Sequence, residues 1–146
     1  RYYEDYTLER MELLLGEEAR HPVERIRRFF EARANDFRKA EDFRFGCLAG
    51  NYSSELGDVS PTFAKATFRT LERIKLRIAD CLAAAVRAGE LPADILPEEL
   101  AEFITNSWQG SLVKMKASRS AYPLDMFFKY IFDGLLHPLA RTAVMP

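Results

Sequence analysis

Apolar side chains recur every three or four positions along almost the whole chain, which is the pattern of amphipathic helices that pack around a core. The pattern predicts six helices, over residues 1–16, 22–39, 46–57, 60–89, 97–118 and 123–136. Prolines stand at or next to the start of most of these segments, where an α-helix tolerates the missing N–H. No segment alternates like a β-strand. We therefore expect an all-α bundle of about six helices.

Two of the segments have the pattern of core helices. Residues 22–39 present an apolar face that is rich in phenylalanine, and we expect their Arg and Glu residues to fill the opposite face. Residues 60–89 carry a continuous apolar stripe from Leu71 to Ala85. The charged run from Glu72 to Lys75 is expected to lie on a solvent-exposed face.

The helix predicted over residues 97–118 carries two distinct stripes of side chains. One face holds large side chains, namely Leu100, Phe103, Ile104, Trp108, Leu112 and Met115. A separate stripe holds the small residues Ser107, Gly110 and Ser111. Small residues allow another helix to approach closely, so this stripe is a candidate helix-packing surface.

The last predicted helix, residues 123–136, is apolar over most of its circumference. Beyond its main apolar face it carries Met126, Tyr130 and Phe132. A helix that is apolar on most sides is buried on most sides. We expect a second copy of the chain to cover the spare face, so that the last two helices of each copy form a four-helix bundle in a homodimer.

Composition narrows the classes of function. The 146 residues suit a single domain that spans residues 1–146. With 21 basic and 22 acidic residues and a net charge of −1, the chain lacks the basic character of a nucleic-acid surface. No apolar run approaches the roughly 20 residues of a membrane span, so we expect no membrane partner. Cys47 and Cys81 do not resemble a disulfide framework, which favours a reducing, cytoplasmic setting.

Residues for catalysis are lacking. His21 and His137 both stand beside prolines at helix ends, where surface or capping roles are usual. The sequence has no nucleophile elbow, no phosphate-binding loop and no spacing typical of a metal site. We therefore expect no enzymatic activity and no bound metal or cofactor.

A short polar segment, Gly46 to Asp58, is the first candidate binding site. If it is helical, Cys47, Asn51 and Glu55 lie on one face, because they are four residues apart. A thiol, a carboxamide and a carboxylate suit the wall of a polar pocket better than a core. Cys47 itself has two interpretations: a small buried hydrophobe, or a reactive thiolate favoured by the helix N-terminus.

Trp108 and Lys116 form the second candidate site. They are eight residues apart and share one helix face. Lys116 is either a surface lysine whose stem covers the edge of the core, or a cation in a ligand pocket. In the second case it would bind an anionic ligand or favour the thiolate of Cys47.

A series of motifs in a fixed order resembles the C-terminal region of tetracycline-repressor-type (TetR family) transcriptional regulators. The series runs through Gly46-Cys47-Leu48-Ala49-Gly50-Asn51, Glu55, Ser60-Pro61, Ala88-Gly89-Glu90-Leu91, Trp108-Gln109-Gly110 and Lys116. Within that family, this series of motifs is most similar to a subgroup that senses small reactive or short-chain compounds. It extends from about Arg1 to about Leu136.

The resemblance implies an effector-binding and dimerisation domain of a transcriptional repressor, in which a small molecule releases operator DNA. It implies one ligand cavity with Cys47, Asn51, Trp108 and Lys116 in its wall, and an anionic or electrophilic effector. The first residues enter helical spacing without a cap, so we infer an upstream segment. In the family that segment is a three-helix DNA-binding domain with a helix-turn-helix.

One alternative belongs to a different class of protein. The chain could be a freestanding helical module for protein–protein interaction, in which Cys47 and Lys116 are purely structural.

Overall fold

The chain is all-helical in a computed structural model that describes residues 2–39 and 61–137. Its α-helices are α1 (Tyr2–Leu15), α2 (Pro22–Lys39), α3 (Pro61–Arg87), α4 (Pro97–Ser118) and α5 (Tyr122–Tyr130). A π-helical turn, Ile131–Leu135, continues α5. No strand occurs within the described ranges, which confirms the all-α prediction. The helix predicted over residues 46–57 lies outside those ranges.

Prolines and glycines set the helix ends, as the sequence predicts. Pro22, Pro61 and Pro97 are each the first residue of a helix. Gly16 follows α1, and a Cβ atom at this position would lie only 2.6 Å from the carbonyl oxygen of Glu12. A side chain at the end of α1 would therefore collide with the backbone of its own helix, and glycine avoids this collision.

A Schellman motif ends α3. Gly89 has a φ of +80°, its N–H donates to the carbonyl of Val86 at 3.1 Å, and the N–H of Glu90 donates to that of Ala85 at 2.9 Å. The next residue, Leu91, is buried and anchors the turn in the core. This turn sends the chain from α3 towards α4.

The helices pack so that α2, α3 and α4 surround a common core. α1 packs on α2 and α3, α2 packs on α3, α3 packs on α4, and α4 packs on α5. The fully buried large side chains come from every one of these helices: Met11, Leu15, Ile26, Phe29, Phe30, Ile78, Leu82, Ile104, Met115 and Leu124.

The charged run on α3 is only partly solvent-exposed. Arg73 is exposed, but the side chain of Lys75 is 15% exposed and its Nζ lies 2.8 Å from Glu72 and 3.1 Å from Glu102 on α4. Hydrogen bonds to Glu72 and then Glu102 raise the pKa of Lys75. The run therefore bridges two helices, which the sequence pattern did not predict.

Two further side chains lie on faces other than the predicted ones. Arg33 is 9% exposed and lies on the apolar face of α2, because its spacing from Phe29 and Phe30 places it on their side of the helix. Phe103 is 56% exposed, although we expected it among the core residues of α4.

A third difference concerns the end of the last helix. The N–H of Leu136 donates to the carbonyl of Ile131, five residues earlier, at 2.8 Å, so the helix ends in a π-helical turn. Phe132, predicted for the spare face, is 4% exposed and belongs to the core, where its ring stacks on that of Phe128, one helical turn earlier. Met126 and Tyr130, predicted for the same face, are 37% and 59% exposed.

Replacing Gly89 by Ala should lower the free energy of unfolding by about 1–2 kcal/mol, because a Cβ atom disfavours the left-handed conformation. Gly89→Asn is the matched control and should cost less, because Asn tolerates this conformation. Urea unfolding followed by far-UV circular dichroism measures both. Equal losses in the two variants would contradict the Schellman motif.

Candidate functional site

A small cavity lies between α2, α3 and α4. Its volume is ≈ 20 Å³. Its walls are mostly aromatic and aliphatic, and the residues that line it are Phe29, Phe30, Arg33, Leu71, Ile74, Thr105, Trp108 and Gln109. We refer to it as the Trp108 cavity.

Trp108 is held in this wall by other aromatic rings. Its ring centroid lies 5.0 Å from that of Phe30 and 5.1 Å from that of Phe127, and the side chain is 3% exposed. Its Nε1–H has no hydrogen-bond partner among the described residues. An indole N–H can only donate, and leaving such a group buried and unpaired costs about 1–3 kcal/mol. A residue of the cavity wall thus carries a buried donor without a partner among the described residues.

Arg33 supplies the only charge among the described residues that line the Trp108 cavity. Its Nη1 donates to the hydroxyl of Thr7 on α1 at 3.3 Å, and its guanidinium carbon lies 5.9 Å from the ring centroid of Phe29. A cation at this depth is unusual unless polar groups or π-faces compensate its lost hydration. Sequence reasoning missed Arg33, although its helical spacing from two phenylalanines was the available signal.

A second cavity lies on the other side of α2, against α1. Its volume is ≈ 60 Å³, and it shares Phe29 and Arg33 with the Trp108 cavity. Arg10 borders it, donating to the Tyr6 hydroxyl at 2.8 Å and pairing with Asp36 at 2.6 Å. We refer to it as the α1–α2 cavity.

Thr67 is a further buried polar group that sequence reasoning missed. It is 1% exposed, and its Oγ1 has no hydrogen-bond partner among the described residues. It lies one turn before Leu71 on α3, on the same face of the helix as that cavity residue. Unpaired buried hydroxyls are uncommon in native proteins.

The predicted site residues divide into two groups. Trp108 lines the Trp108 cavity. Lys116 lies two turns further along α4, is partly buried, and is not among the residues that line the Trp108 cavity. Cys47 and Asn51 lie outside the described ranges. Among the described residues His21 is a surface residue, with a side chain that is 84% exposed.

A surface groove between α4 and α5 is the second feature of interest. Its volume is ≈ 520 Å³, and it is lined by Ser107, Gly110, Ser111, Lys114, Ser118, Ser120, Tyr122, Pro123 and Met126. A Cβ atom at Gly110 would have no neighbour within 4 Å. Three large apolar residues on these helices are also exposed, Phe103, Val113 and Tyr130. We refer to the lined surface as the α4–α5 groove.

Cys81 is buried in the core. It is 3% exposed, and its thiol lies 3.4 Å from the carbonyl oxygen of Leu15. Burial raises the pKa of the Cys81 thiol. At neutral pH the group is therefore protonated and a poor nucleophile.

Two kinds of feature are absent from the described ranges. They contain no group of three or more His, Cys, Asp or Glu residues that could hold a metal ion. None of their helices combines the length and the apolar character that crossing a membrane requires.

Residues 22–131 match the protein family described as the tetracyclin repressor-like C-terminal domain. The chain belongs to that family. The match covers α2, α3, α4 and α5, which are the helices that build the Trp108 cavity and the α4–α5 groove.

Named relatives are transcriptional regulators. The chain is 32% identical over 115 residues to the HTH-type transcriptional repressor DhaR of Mycobacterium sp. (strain GP1), covering 79% of this chain and 56% of that protein. It is 34% identical over 106 residues to the transcriptional regulator AcuR of Cereibacter sphaeroides, covering 73% and 48%. The chain thus spans about half the length of these curated relatives.

A solved structure has the same fold. The regulatory protein TetR from Rhodobacter sphaeroides aligns with a TM-score of 0.81 and 29% identity, covering 88% of this chain and 67% of that one. The family and the fold therefore confirm a C-terminal domain of a TetR-type transcriptional regulator. They do not favour the alternative of a freestanding interaction module.

The two cysteines should differ in reactivity. We expect iodoacetamide at neutral pH to label Cys47 first and Cys81 slowly, because burial raises the pKa of Cys81 and blocks access. Peptide mass spectrometry measures both adducts. The Cys47→Ser variant isolates Cys81, whose labelling should accelerate in urea. Labelling of Cys81 that is as fast in the folded chain as in urea would contradict the buried position.

Proposed function

We propose that the chain is the effector-sensing and dimerisation domain of a TetR-type DNA-binding repressor, and that a small molecule bound in its core releases operator DNA. The observation that carries this proposal is the buried Nε1–H of Trp108, a residue that lines the Trp108 cavity, because this donor has no hydrogen-bond partner among the described residues. The DNA-binding domain would precede this chain, as in the regulators it resembles.

The Trp108 cavity supports a sensing mechanism because it is small. At ≈ 20 Å³ it has room for about one water molecule, so an effector has to enlarge it. Enlargement separates α2, α3 and α4, and α4 also carries the α4–α5 groove. A displacement of helices in the core would therefore change the position of α4, the helix through which we propose that two copies join. Two DNA-reading heads must match half-sites about 34–36 Å apart, so a small reorientation weakens operator binding.

We further place the chain in the subgroup marked by Gly46-Cys47-Leu48-Ala49-Gly50-Asn51. The ligand contacts that we propose are Cys47, Asn51, Trp108 and Lys116, and the effector is anionic or electrophilic. Of these four, Trp108 has the structural support described above. Lys116 adds a positive charge two turns away on the same helix.

The α4–α5 groove supports a homodimer. The hydroxyls of Ser107 and Ser111 donate to carbonyls of their own helix at 2.8 Å each, so a partner can cover them without leaving these donors unpaired. Gly110 has open space above it. Exposed apolar side chains such as Phe103 and Tyr130 extend the same two helices. A second copy that places its own α4 and α5 here would bury them in a four-helix bundle.

The proposal is tested with the full-length protein and the DNA that flanks its gene. Fluorescence anisotropy should show binding that hexanoate (an anion) or crotonaldehyde (an electrophile) reverses. Lys116→Met should raise the required concentration of an anionic effector about tenfold, because it removes a charge-assisted contact. Lys65→Met, at an exposed position of α3, is the control.

Two outcomes would count against this proposal. A full-length protein that binds no such DNA would overturn the repressor function. Release by the same effector concentration in Lys116→Met and in the unaltered protein would make Lys116 a surface residue.

The dimer is tested by filling the α4–α5 groove. Sedimentation equilibrium should show a dimer at micromolar concentration. Gly110→Leu should weaken it by about 5- to 150-fold, because overpacking a close helix contact costs about 1–3 kcal/mol. Ala88→Leu is the control: it introduces the same leucine side chain at an exposed site at the end of α3, and it should leave the dimer intact. A stable monomer in the unaltered chain would refute the proposed assembly.

A further inference from the structure

A surface groove between α1 and α2 has no role in the proposed function. Its volume is ≈ 480 Å³, and Leu13 and Leu14 of α1 are among the residues that line it. We refer to it as the Leu13 groove. It has no lining residue in common with the α4–α5 groove, so partners can occupy both grooves at the same time.

Leu13 gives this groove an exposed apolar edge. It is 72% exposed, the largest exposed fraction among the large apolar residues that the structure describes. Leu14 and Ala32, which line the groove beside it, are half-buried. A lone exposed leucine is ordinary on a protein surface, but a leucine at the edge of a groove gains from a partner that fills the groove and covers it.

The wall that α2 contributes has an alternating charge pattern. Glu24, Arg28, Glu31 and Asn35 all line the groove, and their spacing of four, three and four residues places them on one helix face. A partner surface that carried only one sign of charge would meet like charges as well as opposite ones in this row. The row therefore favours a partner whose own charges alternate.

The same row is complementary to itself. The midpoint of positions 28 and 31 and the midpoint of positions 24 and 35 both fall between residues 29 and 30. When a second α2 runs antiparallel about this midpoint, Arg28 faces the partner's Glu31, and Glu24 faces the partner's Asn35. A two-fold axis makes each contact twice. The first is a guanidinium–carboxylate pair, and in the second an amide N–H donates to a carboxylate.

These contacts do not require existing ion pairs to break. Arg28 has no ion pair with any residue in the part of the chain that the structure describes. Glu31 pairs with Arg27 through Oε1 at 2.9 Å, and a carboxylate accepts more than one hydrogen bond. The contact of Glu24 with Arg20 is longer, 3.3 Å, and solvent-exposed.

We propose that the Leu13 groove is a second self-association surface, on which another copy of the chain packs its own Leu13 groove with the two α2 helices antiparallel. The inference goes beyond ligand sensing and beyond the α4–α5 dimer. Together the two surfaces join two dimers into a tetramer, which carries two pairs of DNA-reading heads in place of one. Leu13 supplies the apolar contact, and the α2 row fixes the register.

Sedimentation velocity of the unaltered chain tests the assembly. Interfaces of small area are weak, so we expect dimers to convert reversibly to tetramers between about 5 and about 500 µM. Leu13→Glu should weaken this step about tenfold or more, because the contact would bury a charge. Leu96→Glu is the matched control, since Leu96 is 62% exposed and lines neither groove, and it should leave the step unchanged.

A charge exchange tests the register. Arg28→Glu and Glu31→Arg should each weaken the step about tenfold or more, because like charges then face each other across the two-fold axis. An equimolar mixture of the two variants should restore it, because every pairing between unlike variants again joins a cation with a carboxylate. Thermal melts followed by circular dichroism check that both variants fold.

Three results would overturn the inference: no species larger than a dimer at the highest concentration, equal effects of Leu13→Glu and Leu96→Glu, or no recovery in the mixture of charge variants. A chain that stops at dimers which only Gly110→Leu weakens would leave the α4–α5 dimer standing without this second surface. Dimers that only Leu13→Glu weakens would support the second surface and refute the α4–α5 dimer.

Discussion

The arrangement of this domain depends on the contacts that the ring of Phe30 makes with other aromatic rings. Its centroid lies 5.0 Å from that of Trp108 on α4 and 5.0 Å from that of Phe127 on α5. Phe132, in the π-helical turn, lies 6.2 Å away. One side chain of α2 thus holds both helices that carry the α4–α5 groove. Exposed ion pairs such as Arg38 with Asp125 also join α2 to α5, but such pairs contribute only about 0–1 kcal/mol.

This shared aromatic core would connect the proposed ligand sensing with the proposed assembly. Phe30 lines the Trp108 cavity, so a molecule that entered the cavity would move a ring that also contacts α4 and α5. Closely packed interiors transmit such displacements because they have little spare volume to absorb them. The free energy needed to open the site lowers the apparent affinity for the effector. An effector that binds the opened state more tightly than the closed state shifts the population between them.

The sequence predicts the helices better than it predicts the polar interior. Local backbone chemistry can be read from any short window of sequence. It predicts the helix starts at Pro22, Pro61 and Pro97 and the Gly89 turn that ends α3. Trp108 was predicted as a site residue from its spacing to Lys116 and from the resemblance to the family. Arg33 was assigned to solvent because a charged residue usually lies there, and only its tertiary surroundings reveal its burial.

The face of Phe132 was predicted wrongly for a different reason: a helix that is apolar on most of its circumference does not reveal which apolar side packs inside its own chain. Each hydrogen-bonded loop in the π-helical turn Ile131–Leu135 contains one residue more than a loop of an α-helix. A turn of this kind lets a helix accommodate one inserted residue. Relatives without the insertion would align here only with a one-residue gap, and deleting Gly134 would rotate the following residues by about 100° around the helix axis. Alignments that forbid gaps inside helices would therefore pair the wrong residues over the end of this domain.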